Sequence, residues 1–232
     1  MTKRLLDIVL SVPALAVLGP VMLAIAVAVR RDSPGDPIFR QRRAGWGGRP
    51  FVMLKFRTMR ADAEPYAPSP HSGADPRLTR LGRWLRETSL DELPQLINVL
   101  RGEMSLVGPR PLYERQAAMW DARQRRRLEV RPGLTGYAQA YGRADLPIED
   151  KLEMDVRYVE TRSLALDLRI LARTVANVLG GRGGVYEQRY SRTKLRETDP
   201  DASAGPDGTS GAGPAPQQSD QQPAQRRHGE GG

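Results

Sequence analysis

The sequence predicts a mainly α-helical protein with one short β-hairpin, held at a membrane by its N-terminus. Three observations carry this. No residue from 8 to 29 is charged. Residues 51–59 alternate in character behind a glycine-rich turn. Elsewhere, from Leu78 to Leu85 and from Leu164 to Val178, apolar residues recur at helical spacing.

The uncharged run is about 22 residues, roughly 33 Å as a straight helix, enough to cross a hydrocarbon core. Lys3 and Arg4 precede it; Arg30 and Arg31 follow it. A spanning helix would export one basic pair, whereas a re-entrant hairpin keeps both in the cytoplasm. Gly19-Pro20 marks a kink, because proline has no backbone N–H to donate. A kinked spanning helix satisfies the same residues. A cleaved signal peptide fits less well. The run exceeds the usual core of about 7–15 residues, and Pro13 and Pro20 interrupt it.

The elements after the anchor read in order. Asp32 through Pro37 is a turn cluster, and residues 38–42 are a strand candidate. Gly45, Gly47 and Gly48 mark the next turn. In residues 51–59, Val52, Leu54 and Phe56 share one face and Lys55 and Arg57 the other, giving a hairpin with a basic side. Residues 62–76, rich in Pro, Ser, Ala and Gly, read as a loop. Asp75-Pro76 reads as a helix start, with Leu78, Leu81 and Leu85 as the apolar stripe. Near the C-terminal end Leu164, Leu168, Leu171, Val175 and Val178 form another stripe, stopped by Gly180-Gly181. Such a stripe is more often core than a face lying in the membrane interface. From Glu197 the composition buries too little apolar surface to offset its ordering entropy. The expected organisation is an anchor at 1–31, a folded domain at 32–196 and a disordered tail at 197–232.

Composition narrows the chemistry. There is no cysteine, so thiolate chemistry and disulfides are excluded. The two histidines, His71 and His228, do not sit among other ligand types. A formal charge of +9 suits nucleic acid, an anionic membrane surface or phosphorylated substrates. Nucleic acid is the weakest of these. The basic run at Arg123 and Arg125–Arg127 reads as an exposed helix face or a membrane-surface patch, aromatics make up 6%, and no RNA- or DNA-binding signature is present.

Chemistry concentrates in residues 87–111. Asp91 and Glu92 are adjacent acids near a helix start, where Ser89-x-x-Glu92 fits a capping box. Pro94 suits the helix better if Asp91 is the cap. An ionised aspartate can attack phosphorus or bind a hard cation. Gly108-Pro109-Arg110-Pro111 follows, with prolines stiffening the setting of Arg110. Arg131-Pro132-Gly133-Leu134-Thr135-Gly136 offers glycines for close backbone approach, ahead of Tyr137, Gln139 and Arg143. Arginines suit planar phosphate contacts.

Taken together, Lys3-Arg4-Leu5-Leu6-Asp7, Lys55-Phe56-Arg57-Thr58-Met59, Ser89-Leu90-Asp91-Glu92-Leu93-Pro94-Gln95 and the two stretches above resemble the bacterial sugar transferase family, the small monotopic polyprenyl-phosphate phosphoglycosyl transferases. The resemblance covers roughly residues 1–190. It implies a re-entrant anchor, interfacial amphipathic helices and a catalytic domain on the cytoplasmic face of the bacterial inner membrane. It also implies transfer of a phosphosugar from a UDP-sugar to undecaprenyl phosphate, releasing UMP, as the first membrane step of exopolysaccharide assembly. Asp91 is then nucleophile and Mg²⁺ ligand, Glu92 completes the dyad, and Arg86, Arg110, Arg143, Lys55 and Arg57 contact phosphate. Downstream glycosyltransferases are expected partners. The rival expectation is an inactive membrane scaffold. Family members break the anchor at Ser-Pro, where this chain has Gly19-Pro20.

Overall fold

The computed structural model describes residues 2–63, 70, 73–142 and 146–180. The tail expected at 197–232, Arg143 and much of the 62–76 loop lie outside these residues.

Helix α1 (Thr2–Asp32) is a single helix with Pro13 and Pro20 inside it. Thirty-one residues give about 46 Å of rise. It is long and apolar enough to cross a membrane. Yet a stripe along its full length packs on the rest of the protein. Asp7, Ser11, Ile25 and Val29 are buried, and Leu18 and Met22 pack against core clusters. The opposite face leaves Val9, Val12, Val17 and Leu23 exposed.

Polar contacts fasten the start of α1. Lys3 Nζ donates to Asp167 Oδ2 at 2.6 Å, and Arg4 donates to the carbonyls of Val99 and Leu100 at 2.5 and 2.8 Å. Those carbonyls lie in the last turn of α3 (Gln95–Arg101), where a helix leaves acceptors unpaired and favours a cation. Asp7 Oδ1 accepts from Ser105 Oγ and from Leu106 N–H, both at 2.9 Å. Asp7→Ala strands these buried donors. It is expected to cost about 2 kcal/mol, read as a lowered Tm of the purified protein.

β1 (Ile38–Ala44) and β2 (Pro50–Phe56) form an antiparallel pair, with Arg40 opposite Leu54. Gly47 and Gly48 take φ of 64° and 76° in the connecting turn, a region open to glycine. The side of the hairpin read as basic faces the core rather than solvent. Phe51 and Met53, on the same side as Lys55, are buried in the core, and Val52 on the other side is exposed. The hairpin is packed on both faces, and Lys55 points inward.

α2 (Arg80–Glu87) begins later than expected. Thr79 is its cap, its side chain accepting from Gly82 N–H at 2.8 Å. Asp75 instead accepts from the backbone and side chain of Arg77. The extended path has a cause: Leu78 pairs with Met59, and Thr79 N–H donates to the Thr58 carbonyl. Gly82 makes this approach possible, since a Cβ there would lie 1.9 Å from the Thr58 carbonyl oxygen.

The remaining elements are α4 (Glu114–Ala118), α5 (Ala122–Arg125), α6 (Tyr137–Tyr141), α7 (Ile148–Thr161) and α8 (Leu164–Leu179). A second, parallel pair joins β3 (Ser105–Val107) to β4 (Gly133–Thr135). It was invisible to periodicity because each strand is three residues long. Its glycines approach backbone: a Cβ on Gly133 would lie 2.1 Å from Gly108 N. The core lies between α1, α3, the β-hairpin, β3, α7 and α8, around Met53, Val99, Met104, Val107, Tyr158 and Ile170.

The stripe on α8 corrects another expectation. Asp167 and Ile170 are the buried residues, whereas Leu164, Leu168, Val175 and Val178 are 42, 52, 57 and 40% exposed. Only Leu171 of the stripe packs on the core. The helix therefore presents most of its apolar side outward.

Candidate active site

Asp91 and Glu92 lie in a tight helical turn, Leu90–Glu92, between α2 and α3. Ser89 precedes it in the left-handed region, φ 59°, the one non-glycine with positive φ among the described residues. Holding a serine there costs on the order of 1 kcal/mol, a strain tolerated where the surroundings fix it. Ser89 makes no capping bond with its side chain, so the capping box does not form. Pro94 is itself the cap of α3 and gives up no helical hydrogen bond.

α3 is clamped to the hairpin by Asn98. Its Nδ2 donates to the Val52 carbonyl at 2.7 Å and its Oδ1 accepts from Leu54 N–H at 3.0 Å. This brings Lys55, the next residue on β2, to the dyad. Lys55 Nζ and Arg110 Nη2 each lie 2.9 Å from Glu92 Oε1. Burial alone would raise the Glu92 carboxyl, but the charges and hydrogen bonds of Arg110 and Lys55 outweigh it and hold it far below the usual carboxylate range. Asp91 goes the other way. Burial pushes it up to about 6, opposed by the Lys55 charge and reinforced by Glu92. Among the described residues no donor is hydrogen-bonded to the Asp91 carboxylate. The two neighbouring acids thus differ: Glu92 is engaged by cations, and Asp91 presents a carboxylate to a cavity of about 450 Å³.

Lys55, Arg57, Arg86 and Arg110 all line that cavity with Asp91 and Glu92. Arg86 is aimed by Thr58, whose Oγ1 accepts from Arg86 Nε at 2.8 Å. Arg57 is held otherwise. Its guanidinium donates to the carbonyls of Ser33 and Pro34, tying the hairpin to the end of α1. Gly82→Ala, which forces Thr58 away, is expected to lower Tm and to displace Arg86. Thermal melting of the purified variant checks this.

Most of the basic run is paired within the protein. Arg123 pairs with Glu153 and Glu160, Arg126 with Glu129 and Glu160, and Arg127 is buried against Asp155.

The family profile described as bacterial sugar transferase matches residues 1–181. The chain belongs to the bacterial sugar transferase family. It is 43% identical over 186 residues to the UDP-glucose:undecaprenyl-phosphate glucose-1-phosphate transferase of Caulobacter vibrioides, covering 76% of this chain and 69% of that protein. It is 45% identical to the protein of the same name from Xanthomonas campestris pv. campestris, but spans only 39% of that longer relative. An uncharacterized sugar transferase of Bacillus subtilis is 43% identical and matched over 89% of its length. A galactosyl transferase of Streptococcus agalactiae is 39% identical, with 43% of it covered.

Membership agrees with the resemblance drawn from the motifs. Sequence reasoning missed two contributors. Asn98 was detectable as the one polar residue within Leu96-Ile97-Asn98-Val99-Leu100. Arg43 lines the cavity, buried, with its guanidinium 3.8 Å over the Tyr113 ring. No spacing rule connects Arg43 to residues so distant in sequence.

Proposed function

We propose that this protein transfers a sugar phosphate from a UDP-sugar to a polyprenyl phosphate, undecaprenyl phosphate first among them, in two displacements at Asp91. One observation carries this reading: a buried carboxylate to which no other described residue donates a hydrogen bond, beside an acid neutralised by Lys55 and Arg110, in a cavity edged by further arginines. In the first displacement an Asp91 oxygen attacks the β-phosphorus of the donor. The bond from that phosphorus to the bridging oxygen breaks, and UMP leaves with the electron pair. In the second, a phosphate oxygen of the acceptor attacks the same phosphorus. The bond to Asp91 breaks and the carboxylate is regenerated, leaving a polyprenyl diphosphosugar. Each displacement brings anions together, and Lys55, Arg86 and Arg110 offset their repulsion.

Among the described residues no three Asp, Glu, His or Cys side chains converge on one point. That donor set still fits Mg²⁺, which commonly takes one or two carboxylates and completes its shell with substrate phosphates and water. Asp91 would hold the ion, and the ion would neutralise charge on the diphosphate. The names of the relatives point to UDP-glucose as the first donor to try and to a UDP-galactose arm beside it. Both ends of α1 pack on one domain, Lys3 to Asp7 at one end and Ile25 to Val29 at the other. This favours an anchor whose two basic flanks stay on the same, cytoplasmic side, as a monotopic protein requires. Such a product suits the start of exopolysaccharide assembly, with glycosyltransferases acting next.

The test is UMP release by lipid-supported protein given Mg²⁺, undecaprenyl phosphate and UDP-sugars. Release with one sugar and its loss with chelator are expected. Silence from intact protein across the panel overturns the reading in favour of a scaffold.

A further inference from the structure

The cavity has one wall that the chemistry at Asp91 does not use. On that side its apolar lining is Leu134, Leu171, Val175 and Val178, with the polar Thr135, Gln139, Thr174 and Asn177 among them. Of the four apolar residues three belong to α8, and two, Val175 and Val178, are also 57 and 40% exposed. Side chains that both line a cavity and face outward mark its mouth. The cavity therefore opens across α8.

That mouth lies on an apolar surface. The outward side of α8 carries Leu164, Leu168 and Leu179 as well. At its first turn α8 meets the anchor, through Lys3 and Asp167 at 2.6 Å. From Asp167 to Val178 the helix rises by about 16 Å. α1 and the helix at the cavity mouth are thus fastened to each other at Lys3 and Asp167. Arg86 and Arg110 line the same cavity. A molecule with an anionic head and a long hydrocarbon tail matches this distribution: the head meets the cations and the tail lies along α8. A UDP-sugar, polar along its whole length, has no hydrocarbon chain to lay against the exposed apolar side chains of α8.

We infer that the Leu171, Val175 and Val178 face of α8 receives the polyprenyl chain of the acceptor and guides its phosphate from the lipid to Asp91. This rests on the two-displacement reading above and assigns its second substrate to a surface.

The two half-reactions separate the possibilities. Val175→Asp and Val178→Asp place a charge where the hydrocarbon would lie, at positions exposed enough to tolerate it. Leu164→Asp puts the same charge on α8 away from the cavity. UMP formed by each protein without acceptor reports the donor step; KM for undecaprenyl phosphate in detergent reports the acceptor. The two mouth variants are expected to keep the UMP burst and to raise the acceptor KM at least about tenfold, given the cost of an acid in hydrocarbon. A short-chain polyprenyl phosphate should lose less. Leu164→Asp is expected to change the KM by no more than about twofold. Equal losses in all three variants would overturn the inference, leaving general membrane attachment. A fall in the burst at unchanged acceptor KM would overturn it too, assigning this wall to the donor. If the unmodified protein gives no burst but turns over with acceptor present, the covalent order of steps fails, and the KM comparison still decides the role of α8.

Discussion

Asp91→Asn is expected to cut UMP release by roughly 10⁴-fold, the scale on which removing one member of a catalytic set acts, while leaving the fold intact. Asparagine matches aspartate in shape but cannot form the bond to phosphorus. No covalent adduct should then be trapped from labelled donor, with or without acceptor. The same substitution is expected to raise Tm. Burial pushes the Asp91 carboxyl up, so the folded state carries an unfavourable charge at neutral pH. That cost starts above the ordinary carboxylate range and is complete above about 6. A neutral amide removes it, a trade of stability for function seen where chemistry needs a poorly solvated charge. Glu92→Gln makes the contrast. It takes the shared partner from Lys55 and Arg110, and is expected to lose about 2 kcal/mol of stability along with activity. Opposite shifts in Tm from two adjacent carboxylates would separate the nucleophile from its electrostatic support. A lowered Tm in both, with residual turnover in Asp91→Asn, would refute the assignment.

Part of this arrangement is legible in the sequence and part is not, for reasons that differ by residue. The apolar N-terminal helix, the hairpin and the closeness of the Asp91-Glu92 pair to Arg110 are local: charge-free length, alternation behind glycines, and acids beside a proline-stiffened arginine. The position of α2 was misread because Asp75-Pro76 is a good local start, and a tertiary bridge from Leu78 to Met59 overrode it. The apolar stripe of α8 was read as core because periodicity reports amphipathicity but not what covers the apolar side. Its buried side is instead set by Asp167, Ile170 and the Lys3 contact. The glycines of residues 131–136 do allow close approach, and the fold uses it against the backbone of Gly108. The engagement of Lys55 and Arg57 also had to come from the fold. Both are basic residues on one strand face; one reaches Glu92, and the other is spent on carbonyls at the end of α1.

Arg127→Met is expected to destabilise the protein by about 3–5 kcal/mol, the largest stability effect among its charged residues. Arg127 and Asp155 are almost fully buried, with Arg127 Nη2 2.7 Å from Asp155 Oδ2 and the guanidinium 4.7 Å over the Trp120 ring. Removing the arginine strands an acid that burial already pushes up. The deficit should therefore shrink as pH falls and Asp155 takes a proton. Arg127→Met with Asp155→Leu is expected to recover most of the stability. The native pair is itself imperfect: among the described residues Arg127 Nη1 and Asp155 Oδ1 have no hydrogen-bond partner. Activity should not recover with it. Arg127 Nη2 also donates to the carbonyl of Arg110 at 2.8 Å, the residue whose side chain meets Glu92. Without that donor the Arg110 backbone loses a fixed point, and kcat is expected to stay down by about tenfold in the double variant. Tm and kcat measured on the single and double variants decide whether the buried pair only supports the fold. Recovery of both in the double variant would mean that it does. Recovery of Tm alone would mean that the ion pair also positions Arg110 for the reaction at Asp91.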